Sequence, residues 1–235
     1  MLVHDEWLLT PARAAVHLPT ATAVLADLHL GYNEARRRDG EAVPQLDLTL
    51  ILAPLRPVLA AHAVRKVVIA GDLFEAGPDA VLATELLAWF GAADVELTGV
   101  APGNHDRGFH GGCHGLPIRP DGCVVGGWRI VHGDGRLPNG PVVHGHEHPW
   151  ARWSSRVSGP CYLVGDGRIV LPAFSADAAG VNVLPGRKWQ RFRCGVIAGD
   201  RVLDFGEIGA LRKRLGRGPR GPRPMRHDKG NTAHQ

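Results

Sequence analysis

Long apolar runs are missing from this 235-residue chain. The most apolar late stretch, residues 169–184, is broken by Pro172 and Asp177 and falls short of the about 20 apolar residues that a membrane helix needs, so we expect no membrane span. The first residues also lack the bases of a secretory signal and carry Asp5 and Glu6 instead. The sequence therefore predicts a cytoplasmic protein.

Cysteine is scarce as well. The four cysteines form neither a Cys-x-x-Cys pair nor a dense framework of disulfides, and they are Cys113, Cys123, Cys161 and Cys194. We expect reduced, mostly buried thiols. Hydrophobic residues at 44% and charged residues at 21% are typical of an ordinary globular protein that can bury a core.

The positive charge is concentrated at the C-terminal end. The net charge is +4, and residues 211–235 contain eight Lys or Arg against one acid, together with many Gly and Pro. We therefore predict a folded domain over residues 1–210 and a basic, disordered tail over residues 211–235. Such a tail could add affinity for DNA or RNA phosphates, and a solubilising tail without a partner is the alternative.

The order of predicted elements changes along the chain. The first two thirds alternate predicted strands with predicted helices: strands at 22–26, 66–70 and 95–100, and helices at 46–63, broken near Pro54 and Pro57, and at 79–90. Predicted strands with Gly-rich turns follow at 123–125, 128–131, 141–143, 168–171, 181–184 and 195–203. This order favours a two-sheet α/β sandwich.

Five short blocks carry side chains that bind metals, and each follows an apolar run. They are Asp27-Leu-His29, Gly71-Asp72, Gly103-Asn104-His105-Asp106, Val131-His132 and Gly145-His146-Glu147-His148. Because ligands collect outside the carboxyl ends of strands in α/β sheets, we expect these blocks to meet on one rim. Spacing alone leaves open which adjacent pair among His144, His146 and His148 binds metal.

The types of side chain indicate which metals and which chemistry. Carboxylate, amide and imidazole together suit Mn, Fe or Zn better than Ca. Two cations need a shared ligand, for which Asp72 is the candidate. Paired metals about 3.5–4 Å apart lower the pKa of a bridging water and neutralise a phosphoryl group under in-line attack. The blocks therefore predict hydrolysis of a phosphate ester.

These blocks resemble the motifs of the calcineurin-like metallophosphoesterases, in the same order, over residues 20–150. Three segments, Ala26–Gly31, Gly145–Pro149 and Val170–Phe174, are similar to the bacterial group associated with DNA ligase and helicase genes. The resemblance implies a four-layer α-β-β-α sandwich of two mixed sheets, with a dimetal site at the carboxyl ends of the strands. It also implies a role in DNA repair and a functional link to a DNA ligase or helicase.

The resemblance also implies a role for each residue of the blocks. One metal would take Asp27, His29, Asp72 and His148, and the other would take Asp72, Asn104, His132 and His146. Two Mn²⁺ ions are expected, with Fe or Zn as alternatives. His105 would contact the scissile phosphate and protonate the leaving oxygen, and Asp106 would orient His105. Arg107 could add a phosphate contact or could be an ordinary surface residue, and Glu75 is a rim residue rather than a ligand.

The expected function is a phosphodiesterase, with nuclease activity as a candidate, in which a metal-bridging hydroxide attacks a nucleic acid or nucleotide derivative in line. Alternatives are a phosphomonoesterase or small-nucleotide hydrolase, or a non-catalytic binding module that keeps the fold. Loops 108–122 and 150–160 are the candidates for shaping the substrate groove. In the second loop Trp150, Arg152, Trp153 and Arg156 could contact a nucleic acid strand or could pack in the fold.

Overall fold

The computed structural model describes residues 1–109, 113–153 and 158–215. Its first sheet has six strands in sequence order, antiparallel from β1 to β4 and parallel from β4 to β6. The strands are β1 Leu2–Val3, β2 Trp7–Leu9, β3 Ala15–His17, β4 Thr22–Leu25, β5 Lys66–Ala70 and β6 Glu96–Ala101. The parallel strands β4 to β6 bring three carboxyl ends to the same edge of the sheet.

The second sheet has nine strands, and it is also mixed. Strand β9 lies between β8 and β12 and is parallel to both, whereas β11 is antiparallel to its neighbours β10, β12 and β14. The strands are β7 Cys123–Val125, β8 Trp128–Val131, β9 Val142–His144, β10 Pro149–Arg152, β11 Ser158–Gly165, β12 Arg168–Val170, β13 Val181–Asn182, β14 Arg193–Ala198 and β15 Arg201–Glu207.

Five α-helices complete the described part of the chain. They are α1 Tyr32–Arg38, α2 Leu48–Leu52, α3 Leu55–Ala61, α4 Ala80–Ala92 and α5 Ile208–Leu215. Helix α4 begins where Asp79 accepts hydrogen bonds from the N–H groups of Val81 and Leu82, at 2.9 and 3.0 Å. Among the described residues, no helix is both long and apolar enough to cross a membrane.

Three hydrophobic cores separate four layers. Alternate residues of β5 point to opposite faces, so that Val67 and Ile69 pack with helices α2 to α4 while Val68 and Ala70 pack against the second sheet. The far face of the second sheet packs against α5 through Ile208. This arrangement confirms the expected α-β-β-α sandwich of two mixed sheets.

Predicted elements with strong local signals coincide with observed ones. The strands predicted at 66–70, 123–125 and 128–131 are β5, β7 and β8, and the helical segment 46–63 is divided into α2 and α3 beside Pro54. Residues 195–203 form two paired strands instead of one, because the chain turns at Gly199, where φ is +60°. The short N-terminal strands β1 to β3 were not predicted.

The C-terminal boundary differs from the expectation. The tail was predicted to begin at Leu211, but this residue lies inside α5 and is buried against the outer face of the second sheet. An apolar side chain with such a partner gains enough from burial to extend the folded part. Residues 216–235, with most of the predicted tail, lie outside the described part.

The cysteines form no disulfide in the described part of the chain. Cys161 and Cys194 are buried, and Cys113 and Cys123 are half-buried. The expectation of mostly buried thiols therefore holds for the pair on β11 and β14.

Candidate metal centre

The candidate ligands lie where the edges of the two sheets meet. Asp27, Asp72 and Asn104 follow the parallel strands β4, β5 and β6, and His132 and His146 follow β8 and β9 of the other sheet. The N–H of His146 donates to both carboxylate oxygens of Asp27, at 3.1 and 3.0 Å. The rim expected from the sequence is therefore built by both sheets together.

Five of these residues adopt left-handed backbone conformations that side chains other than glycine rarely take. Their φ angles are +55° at Asp27, +47° at His29, +44° at Asp72, +67° at His146 and +40° at His148. Such strain costs on the order of 1–3 kcal/mol per residue and tends to occur at functional sites, where the surrounding structure maintains it. Here the strained turns aim five potential ligands at one place.

Glycines give the carboxylates the space that they occupy. A Cβ atom at Gly103 would collide with the carboxylate of Asp72, and a Cβ atom at Gly145 would collide with that of Asp27. Each carboxylate therefore lies directly against the backbone of another block, so alanine at either glycine would displace a potential ligand.

The side chains form three overlapping clusters in which the nitrogen and oxygen ligand atoms lie within 4.8 Å of one another. The clusters are Asp27, His29 and His148; His29, Asp72 and His105; and Asp72, His132 and His146. Asn104 joins the last of these, because its Oδ1 lies 3.0 Å from His132 Nε2. The first and last clusters contain the residues expected at two separate ions, and the assignment of ligands to ions stays a prediction.

The charges of this cluster fit divalent cations. The side chains of Asp27 and Asp72 are 0% and 3% exposed, and no Lys or Arg of the described residues forms an ion pair with either. Buried carboxylates need a compensating charge. His29 Nε2 is buried without a hydrogen-bond partner in the described part of the chain, as expected for a nitrogen that binds a metal.

Glu75 has a larger part in the site than the sequence indicated. Its Oε2 lies 2.8 Å from His29 Nδ1, which leaves Nε2 as the nitrogen available to a cation. A carboxylate in this position fixes the orientation of a metal-binding imidazole and raises its basicity. The spacing of Glu75 from Asp72 placed it near the rim but could not show that it contacts a histidine.

His105 is oriented by the backbone and by Glu75. The backbone N–H of His105 donates to Asp72 Oδ1 at 2.9 Å. The ring Nδ1 lies 3.0 Å from the backbone oxygen of Glu75 and 3.7 Å from Glu75 Oε2. A proton on Nδ1 would donate to this carbonyl oxygen and leave Nε2 to exchange a proton with a substrate. The ring is 36% exposed, so a substrate can reach it from solvent.

Asp106 was expected to orient His105, but its carboxylate accepts hydrogen bonds from backbone N–H groups instead. One carboxylate oxygen accepts hydrogen bonds from the N–H groups of Leu73 and Gly103, at 3.1 and 2.9 Å, and the other accepts from Phe74 at 3.1 Å. Burial raises the pKa of Asp106, and these bonds oppose the rise only in part. The carboxylate therefore joins the turns after β5 and β6, and no hydrogen bond links it to the described ring of His105.

Arg107 is exposed, next to Asp106 in the same turn. Its role as a phosphate contact or as an ordinary surface residue stays a prediction. Residues 110–112 and 154–157, including Arg156, lie outside the described part of the two candidate groove loops. Trp153 packs against Phe205 with their ring centroids 4.9 Å apart, so its contact is within the fold.

The two outer histidines of the last block have different surroundings. His144 is buried, its Nδ1 lies 3.0 Å from the oxygen of Gly145, and burial lowers its pKa to about 4. Burial also acts to lower the pKa of His148, but the nearby carboxylate of Asp27, 3.7 Å from Nε2, outweighs it and raises the pKa. His148 also belongs to the cluster with Asp27 and His29, whereas His144 belongs to none of the three clusters found among the described residues. This placement favours His148 over His144 as a ligand, as the resemblance implied.

Substitution can separate these two roles. We expect His148→Ala to lower bound metal and hydrolysis strongly, because it removes a potential ligand next to Asp27. His144→Ala should keep both near the wild-type level, although the cavity that it leaves should lower the melting temperature. Metal content by mass spectrometry, activity and thermal unfolding together check this prediction, and the reverse order would overturn the choice of histidines.

Comparisons with known proteins support the fold. One solved structure, the crystal structure of the Pseudomonas putida nuclease MPE, is similar to this chain with a TM-score of 0.64 and 23% sequence identity. The similarity covers 87% of this chain and 98% of that one. No protein-family model matches the chain, and no curated protein matches it. The similarity covers most of both chains, but at 23% identity it shows the fold alone.

Proposed function

We propose that this protein is a two-metal phosphodiesterase that acts on nucleic acid or nucleotide derivatives. The observation that carries the proposal is the pair of buried carboxylates of Asp27 and Asp72. In the described part of the chain they have no Lys or Arg partner, and imidazoles surround them where the edges of the two sheets meet. Oxygen and nitrogen ligands in this combination suit Mn²⁺, with Fe or Zn as alternatives.

Each residue of the centre has a role in this proposal. Asp27, His29 and His148 hold one ion, Asn104, His132 and His146 hold the other, and Asp72 lies between them. The bound cations would activate water and neutralise the phosphoryl oxygens. His105 contacts the phosphate from the open side and gives its proton to the leaving oxygen.

Nucleic acid is favoured as the substrate by two observations. The structurally similar protein from Pseudomonas putida is described as a nuclease, and the C-terminal residues of this chain are strongly basic. A place in DNA repair beside a ligase or helicase belongs to the same proposal. A phosphomonoesterase or small-nucleotide hydrolase would use the same residues. A non-catalytic module is disfavoured, because every potential ligand and His105 are present.

An assay with matched substrates tests this proposal. Purified protein with Mn²⁺ should hydrolyse bis-p-nitrophenyl phosphate and single-stranded DNA faster than p-nitrophenyl phosphate, and EDTA should abolish the activity. A shortened chain that ends at Leu215, and so keeps α5, should bind DNA more weakly in low salt if the tail contributes. Activity on the monoester alone would contradict the phosphodiesterase, and unchanged DNA binding by the shortened chain would remove the tail's role.

A further inference from the structure

A cavity of about 290 Å³ adjoins the candidate metal centre. His29 contributes to both, since it lines the cavity and belongs to the cluster with Asp27 and His148. The volume is near the lower end of the about 300–1,000 Å³ that is usual for small-molecule sites. A group of a substrate held at the metal centre could therefore extend into this cavity.

The wall of the cavity is attached to the backbone of a potential ligand. The N–H of Ser175 donates to the oxygen of Asp27 at 3.1 Å, and Phe174 donates to Ala26 at 2.8 Å. Arg13 Nη1 closes the same wall by donating to the oxygen of Ser175 at 2.6 Å. The cavity and the metal centre therefore keep a fixed relative position.

The charges that line the cavity favour a neutral occupant. Arg13 is the one Lys or Arg among the described lining residues, and its guanidinium donates to the backbone oxygens of Ala173 and Ser175. Glu34 and Asp177 add two carboxylates to the lining. A second phosphate would be repelled here, whereas an uncharged ring would not.

Asn33 supplies hydrogen-bonding groups to this cavity. It lines the cavity and is 7% exposed, and its carboxamide makes no hydrogen bond with any residue in the described part of the chain. The polar atoms of this carboxamide are open to the cavity rather than sealed in the core, so a ligand in the cavity can pair with them. An asparagine carboxamide offers both donor and acceptor groups, the combination that pairs with the edge of a nucleobase.

Aromatic rings complete the lining. Tyr32 and Phe174 both line the cavity, together with the aliphatic side chains of Leu50 and Ile51. Aromatic side chains stack on bases with little regard to their identity. From this combination of size, charge, carboxamide and aromatic lining we propose that the cavity binds the nucleobase of the nucleoside next to the scissile phosphate. This inference rests on the proposed phosphodiesterase function.

Three diesters that share one leaving group test the inference. Nucleoside 5′-(p-nitrophenyl phosphates) of thymidine and deoxyadenosine carry a base, whereas methyl p-nitrophenyl phosphate does not. The full chain with Mn²⁺ should favour at least one nucleoside ester by about tenfold or more in kcat/KM. Asn33→Leu should lower kcat/KM for that ester by about tenfold and leave the methyl ester unchanged.

A second variant fills the cavity instead of removing its polar group. Ala176 is exposed and lines the cavity, so Ala176→Trp should block the base and give the same selective loss. Ala198→Trp, at the exposed end of β14 and away from the cavity, is the matched control and should affect neither ester. Metal content should equal that of the wild type in all three variants.

The outcomes separate this inference from the function on which it rests. If no diester is hydrolysed with metal bound, the proposed function fails. If the methyl ester is hydrolysed as efficiently as both nucleoside esters, or if Asn33→Leu slows all esters equally, the nucleobase site is wrong. An equal loss on single-stranded DNA would assign the site to a base of a polynucleotide. A loss on the nucleoside ester alone would assign it to a small nucleotide.

Discussion

His105→Ala should reduce hydrolysis of phosphodiesters by about 10²–10⁴-fold, the range that general acid catalysis contributes. The imidazole is half-exposed, and its Nδ1 faces the backbone oxygen of Glu75. Metal content should remain at the wild-type level, because the other clusters keep their ligands. Steady-state kinetics and metal analysis on the same preparation measure both quantities.

The leaving group offers a sharper test of His105. A leaving oxygen that is already a good leaving group, such as p-nitrophenolate, needs a proton less than an alkoxide does. The variant should therefore lose less activity on bis-p-nitrophenyl phosphate than on DNA. His62→Ala, at the end of α3, is the control and should behave as the wild type on both. Equal losses on the two substrates would argue against a proton donor at this position.

Asp72→Asn should lower the affinity for metal by at least about tenfold and with it the activity. Asp72 belongs to the cluster with His132 and His146, and it shares the middle cluster with His29, a potential ligand of the other ion. The loss of its charge should therefore affect both candidate ion sites. Asparagine keeps the shape and an oxygen that can accept the N–H of His105, which isolates the effect of charge. Calorimetric titration of the metal-free protein with Mn²⁺ measures this directly.

Asp94→Asn provides the comparison for Asp72→Asn. Asp94 forms an exposed ion pair with Arg65, at 2.8 Å, and belongs to none of the three clusters. Exposed pairs contribute little to stability, so this variant should retain the wild-type metal affinity. Should Asp72→Asn bind two ions as tightly as Asp94→Asn, a shared carboxylate could no longer be assigned to Asp72.

Local signals were enough to predict the architecture. Asp79 before an amphipathic run marked the start of α4, and Lys66–Ala70 was predicted as a strand and forms β5. The short strands β1 to β3 escaped prediction because two or three residues cannot display a period, and the equally short β7 was predicted from its Gly-flanked apolar run instead. Leu211 was assigned to the tail because its many basic neighbours conceal the partner that buries it.

For the candidate site, the sequence predicted the blocks but not the contacts between them. The resemblance implied that Asp106 orients His105, whereas the carboxylate binds the backbone of Leu73, Phe74 and Gly103. The contact of Glu75 with His29 joins residues 46 positions apart, which no short motif encodes. Asn33 was not predicted, because one asparagine on a helix does not indicate a binding site until its place at the cavity is known.

The meeting of two sheets at the centre also bears on the order of assembly. Asp27 and Asp72 belong to the first sheet, but the imidazoles of His132, His146 and His148 become available only when the second sheet has formed. A nascent chain that has completed β6 therefore holds two carboxylates and lacks most of the nitrogen donors. In the proposed function, both ions would therefore be fully coordinated only after the chain through His148 has been made and the second sheet has formed.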